Sequence, residues 1–222
     1  MNITFAIITA GDEEDRINSI IDSIEVNAIP TYEVLVIGGR RSSLSRALTR
    51  HIPFDEVRPF PNWITRKKNI ATKAAKHENV VYFHDYHAFD AGWYAGVVNG
   101  PKEWDVQMHA IRSIDDKRFM DWAILDHAEY PIHAYVPYDR SDLIQRQYIS
   151  GGYWMARRDF MAANPLDEGL VSFQAEDVEW SRRIRDTARI VMNDQAVVRH
   201  LKVHRDTHLC AHRAQPFGVP VD

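Results

Sequence analysis

The chain has 222 residues, 45% hydrophobic and 26% charged, with a formal net charge of −4. That composition suits one globular domain and excludes a disordered chain, and the slight acidity gives no general electrostatic pull toward nucleic acid. Cys210 is the single cysteine, so no intrachain disulfide can form, and no segment approaches the roughly 20 apolar residues that span a bilayer. The opening MNITFAIITAGDEEDR carries no basic leader, so a cytoplasmic location is expected.

Ile3 to Thr9 is rich in β-branched residues and predicts a strand stopping at the turn Ala10-Gly11-Asp12. Ile17, Ile20, Ile21 and Ile24 then recur at i, i+3, i+4 and i+7, one face of a helix. YEVLVIGG (32–39) predicts a second buried strand closed by a glycine pair. Continuously apolar strands separated by a helix predict a parallel sheet covered by helices. Arg40 to Arg50 predicts a short helix, and 51–63, with three prolines, an extended or loop segment. ITRKKNIATKAAKH (64–77) has helical composition, with Ile70, Ala71, Ala74 and Ala75 as its inner face. Val80 to Phe83 is the next buried strand. In such a doubly wound half, residues 1–87, ligands bind beyond the carboxyl ends of the strands.

WDVQMHAIRS (104–113) alternates and predicts a strand, whereas 115–148 is long, aromatic and irregular, as binding loops and lids are. YISGGYWMARRDF (148–160) predicts a strand leading into a helix. AEDVEWSRRIRDTA (175–188) predicts a helix with acids first and arginines later, matching the helix dipole. ARIVMNDQAVVRHLKVH (188–204) returns as one or two strands. No linker interrupts the pattern, so 1–222 reads as one domain, with 88–222 forming an acceptor side.

VVYFHDYHAFD (80–90) drives a buried strand into His84, Asp85 and His87, and an ionised carboxylate is costly to bury without a partner. In an extended segment Asp85 and His87 point the same way, so both reach one divalent ion. Carboxylate suits Mg²⁺ or Mn²⁺, and imidazole tilts the choice toward Mn²⁺. The plainer reading is a turn cap beside an exposed histidine. Glu176, Asp177 and Glu179 at a helix start either complement the dipole or present Asp177 or Glu176 to a cleft as a general base. The basic tail holds His200, His204, His208 and His212 at spacings of four. It is either a solvated surface or supplies one histidine to the metal while Lys202 and Arg205 meet phosphate. Tyr153, Trp154, Phe173 and Trp180 are equally sugar-stacking platforms or core.

In this order the motifs resemble glycosyltransferases of the GT-A fold. FAIITAGDE (5–13), YEVLVIGG and RKKNIATKAAKHENVVYFHDYHAF (66–89) look like family-2-type members. Asp85-x-His87 is similar to the Asp-x-His of the polypeptide N-acetylgalactosaminyltransferases. GGYWMARRDF, NPLDEGL and AEDVEWSRRIR are similar to the Gly-Gly to Glu-Asp region of the β-1,4-galactosyltransferase type. The resemblance implies an α/β fold, with a mostly parallel central sheet flanked by helices and a nucleotide-binding half before an acceptor-binding half. It implies an inverting, metal-dependent transferase using Mn²⁺ or Mg²⁺, held by Asp85, His87 and either His200 or His204. Asp177 would be the catalytic base and Glu176 would orient the acceptor. Thr9, Ala10 and Gly11 would lie against the nucleoside, with Lys68 near the donor. Gly151 and Gly152 would let donor and acceptor approach the backbone. The implied partners are a nucleotide-sugar donor, UDP-linked by preference, and a glycan or other hydroxyl acceptor. Two departures stand out: VIGG lacks the usual aspartates, and His87 replaces a final aspartate. Rival readings are a metal-dependent sugar nucleotidyltransferase or pyrophosphatase, and a non-catalytic carbohydrate-binding relative. No glycine-rich phosphate loop near Gly11 supports the first rival.

Overall fold

Every residue of β1 (Ile3–Ile8) is buried, because both faces of this strand are covered. Ile3, Phe5 and Ile7 pack on one side with Ile17, Ile20, Ile21 and Ile24 of α1 (Glu14–Glu25). Ala6 and Ile8 pack on the other with Ala71 of α2 (Ile64–Ala74). Burying each isoleucine of α1 contributes about 1.5–3 kcal/mol, which is why the helical periodicity was readable.

A computed structural model describes residues 1–11, 14–39, 46–55, 63–124, 135–170 and 175–202. Between the first two helices run β2 (Tyr32–Ile37) and β3 (Thr49–Ile52). After α2 come β4 (Asn79–His84), β5 (His87–Phe89), α3 (Trp93–Asn99), β6 (Val106–Ser113) and β7 (Ala123–Ile124). A 3-10 turn (Ser141–Arg146) leads to β8 (Gln147–Tyr148), β9 (Tyr153–Arg157), α4 (Arg158–Ala163), α5 (Glu176–Ile184) and β10 (Ile190–His200).

One eight-stranded sheet has the order β3-β2-β1-β4-β9-β6-β10-β5. β3, β2, β1 and β4 are parallel neighbours, as are β6 and β10. β9 runs antiparallel between β4 and β6, and β5 runs antiparallel beside β10. The mostly parallel, helix-flanked α/β sheet read from the sequence is present: β3, β2, β1 and β4 from before residue 87 form one side of it, and β9, β6, β10 and β5 form the other. Among the described residues no helix is long and apolar enough to cross a membrane.

Some local readings need correction. Where it is described, the helix expected over Arg40 to Arg50 is instead a turn at Ala47 and Leu48 that enters β3, which pairs in parallel with β2 from Thr49 on; residues 40–45 lie outside the described set. The inner face of α2 is more polar than expected. Lys67, Lys68, Asn69 and Thr72 are buried with Ala71, whereas Ile70 and Ala74 are half-buried. The described parts of the stretch 115–148 fold around one carboxylate, Asp121, which is fully buried. It accepts from Arg118 at 2.9 Å, from the Trp122 N–H at 2.6 Å and from the Tyr138 hydroxyl.

Candidate functional site

The chain places β2 and β3 on one side of β1 and returns to β4 on the other. Ligands of open α/β sheets bind at such a switch, outside the carboxyl strand ends. Thr9 follows β1 there, and Asp85 follows β4. Thr9 Oγ1 donates to Asp85 Oδ2 at 2.6 Å and accepts the Gly11 N–H at 2.9 Å. Arg16 of α1 donates through Nε to the Asp85 carbonyl, and its guanidinium lies 3.4 Å from Asp85 Oδ1. A Cβ at Gly38 would stand 1.8 Å from the Thr9 carbonyl oxygen, and one at Gly11 would stand 2.5 Å from Gly39 Cα. Gly11, Gly38 and Gly39 all have positive φ, so this closure of β1 on β2 requires glycine. Ala10 and Gly11 stay half-exposed at the rim.

Asp85 and Tyr86 form a turn rather than an extension of β4, and the Tyr86 N–H donates back to the His84 carbonyl at 2.7 Å. The common face expected for Asp85 and His87 is therefore absent. Asp85 turns to Thr9 and Arg16, whereas His87 opens β5 and is buried. Antiparallel pairing of β5 with β10 sets His87 opposite His200, and their Nε2 and Nδ1 atoms lie 3.4 Å apart. The Tyr86 ring packs against His84, His87 and His200 at centroid distances of 5.2, 4.8 and 5.0 Å. Lys202 Nζ lies 3.9 Å over the same ring. Burial, and then the neighbouring His200, hold His87 well below the usual imidazole range. Burial does the same for His84, with Lys68 adding to it. Both imidazoles are thus neutral at neutral pH, the form that binds metal.

Two nitrogens each about 2.1 Å from one ion at a tetrahedral angle stand about 3.4 Å apart. The His87–His200 separation equals that spacing, and in this structure the contact is a hydrogen bond between the two rings. The buried His87 Nδ1 has no hydrogen-bond partner among the described residues. Asp85 is held away from this pair, and no group of three His, Cys, Asp or Glu able to hold an ion occurs among the described residues. His204 and the rest of the basic tail beyond Lys202 lie outside the described residues, as does Phe173.

The acid end is built by α5. Ala175 takes a left-handed conformation, φ 57° and ψ 43°, and turns the chain into the helix. Asp177 Oδ2 accepts the Gly151 N–H at 2.8 Å and the Tyr148 hydroxyl, while Oδ1 accepts the Val178 N–H at 2.9 Å. The sequence offered no signal for Tyr148 beyond its place three residues before the glycine pair. A Cβ on Gly151 would meet Asp177 Oδ2 at 2.6 Å, and one on Gly152 would meet His87 Cε1 at 3.1 Å. The two glycines thus form a thin plate joining the carboxylate to the imidazole pair. Lys68 lies behind that plate, fully buried, and donates to the Gly151 carbonyl at 2.6 Å. It faces the protein interior, not an open crevice beside a donor. Burial raises the Glu176 carboxyl above the usual range, and Lys68 opposes that rise. Tyr153, Trp154 and Trp180 are fully buried, so they are core and not sugar platforms.

No family model matches the chain, and no curated protein matches it. Solved structures do. S. aureus TarS shares 16% identity over 90% of this chain and 60% of its own, with a TM-score of 0.61. GalNAc-T7, solved with UDP, GalNAc and Mn²⁺, shares 13% over 99% of this chain and 45% of its own, with a TM-score of 0.66. The mannosyltransferase PcManGT from Pyrobaculum calidifontis, solved with GDP-Man and Mn²⁺, shares 14% over 96% of this chain and 60% of its own, with a TM-score of 0.59. The chain spans about half to three fifths of the length of those chains. The likeness is one of fold: this chain has the GT-A architecture of nucleotide-sugar glycosyltransferases.

Proposed function

We propose that the chain is a metal-dependent glycosyltransferase that moves a sugar, with inversion, from a nucleotide diphosphate donor to a hydroxyl acceptor. A UDP-sugar is the favoured donor. The observation that carries this reading is the Gly151-Gly152 plate, which brings Asp177 and the His87–His200 pair together at one end of the sheet. The GT-A architecture, found in proteins solved with UDP, UDP-GlcNAc or GDP-Man, supports it.

Asp177 acts as the base. A carboxylate has about four lone-pair sites, and Tyr148, Gly151 and Val178 occupy three of them. The remaining site on Oδ1 is available to the acceptor hydroxyl, and the three donors fix its direction. Accepting that proton as the oxygen attacks contributes about 10²–10⁴-fold. Glu176, beside it, orients the acceptor. Thr9, Ala10 and Gly11 line the nucleoside side of the switch, and Asp85 faces the same crevice. His87 and His200 would hold the divalent ion, joined by His204. When bound, that ion acts as a Lewis acid toward the departing diphosphate.

The test is nucleoside diphosphate release from UDP-GlcNAc and GDP-mannose with Mn²⁺ present. Asp177→Asn is expected to keep the fold and donor affinity and to lose about 10²-fold or more in turnover. Near-parental turnover would remove Asp177 as base. Release of pyrophosphate or a sugar phosphate would point to nucleotidyl transfer instead.

A further inference from the structure

The Gly151-Gly152 plate is gripped from behind by a charge that the chemistry above does not use. Lys68 comes from α2, 83 residues earlier in the chain, and no part of its side chain reaches solvent. Its ammonium donates to the Gly151 carbonyl at 2.6 Å and sits 4.2 Å over the Trp154 ring. That carbonyl belongs to the 151–152 peptide. The N–H that Asp177 accepts belongs to the 150–151 peptide. The two contacts therefore bracket the Gly151 Cα from opposite sides.

We propose that Lys68 is a positioning residue: its buried ammonium locks the Gly151-Gly152 turn so that the Gly151 N–H stays aimed at Asp177. The idea rests on the transferase reading for its catalytic consequence, though not for its geometry. A buried ammonium needs compensating negative charge. Glu176 and Asp177 of α5 supply it, while Lys67 of α2, His84 of β4 and His87 of β5 are the other titratable groups around it. Burial lowers the Lys68 ammonium to about 8, with Glu176 and Asp177 opposing the fall. Loss of this proton above pH 8 weakens the grip on the carbonyl, and arginine would keep its charge there.

The experiment uses the full chain carrying Lys68→Met or Lys68→Arg and two readouts. Amide hydrogen exchange at Gly151 is expected to rise about tenfold or more in Lys68→Met and far less in Lys68→Arg. Turnover of UDP-GlcNAc with Mn²⁺ is expected to lose about tenfold or more in kcat in Lys68→Met, with donor KM within about twofold. The alkaline limb of the parental kcat profile is expected near pH 8 and should move upward in Lys68→Arg. Unchanged exchange at Gly151 in Lys68→Met overturns the proposal, and so does a rise in donor KM with kcat intact, which would mean direct donor contact. Should the parental chain turn over no donor, the transferase reading falls while the exchange result still judges Lys68. If Lys68→Met does not fold, Lys68→Arg with intact exchange and a shifted alkaline limb sustains the proposal, and an unshifted limb overturns it.

Discussion

Gly151 shows how little room the acid end has. A methyl group there would stand 2.6 Å from Asp177 Oδ2, closer than real contacts permit, so either the carboxylate or the turn must move. A displacement on the order of 1 Å in a catalytic group costs about 10²-fold. Gly151→Ala is therefore expected to lower kcat by roughly that factor while leaving Mn²⁺-dependent UDP affinity near the parental value. Unchanged kcat would mean that Asp177 is not held by this turn during turnover. At this scale the sequence revealed residue types better than directions. Asp177 and the glycine pair stood out as an acidic helix start after a glycine turn. Tyr148, which donates to the same carboxylate, did not, because it lies in an irregular stretch without periodicity. Lys68 was expected near the donor and Lys67 was given no role, yet both are buried with their ammonium groups on the Gly151 and Thr9 carbonyls. Such contacts leave no mark on composition.

Among the elements, β1, β2 and β4 were legible because strands covered on both faces are continuously apolar. β3 and β5 were not, since four and three residues carry too little pattern and owe their form to pairing with β2 and β10. The break between β4 and β5 is what overturned the Asp85–His87 face: a turn of two residues rotates the second side chain away from the first. β6 carries a separate buried network. His109 is fully buried, receives the Trp93 indole N–H at 3.1 Å and lies 2.6 Å from Gln107 Oε1. Burial lowers its imidazole to about 3, against about 6.5 in an unfolded chain. Between those values the unfolded state binds more protons, so stability falls as pH drops from about 6.5 toward 3, by up to about 1.4 kcal/mol per unit for this group. Chemical denaturation of His109→Gln across that window should show a shallower acid slope than the parent. An identical slope would assign the acid sensitivity to other groups.

Over the whole molecule, one sheet brings distant segments together. β9 inserts between β4 and β6, and this delivers Gly151-Gly152 to the carboxyl end of the parallel strands, where Thr9 and Asp85 already meet. β10 then carries His200 across to His87. The fold class was readable because alternating apolar strands and amphipathic helices admit few layered architectures. The order of strands was not, since β9 and β5 reverse direction for reasons of pairing that no short window records. The central claim is that His87 and His200 serve a cation and diphosphate while Asp177 serves the acceptor in the same cleft. Calorimetric titration of UDP in the presence and absence of Mn²⁺ tests it most directly. His87→Ala and His200→Ala are expected to lose about tenfold or more of the Mn²⁺-dependent gain in affinity, with Asp177→Asn retaining it. Parental Mn²⁺-dependent affinity in both histidine variants would contradict the account.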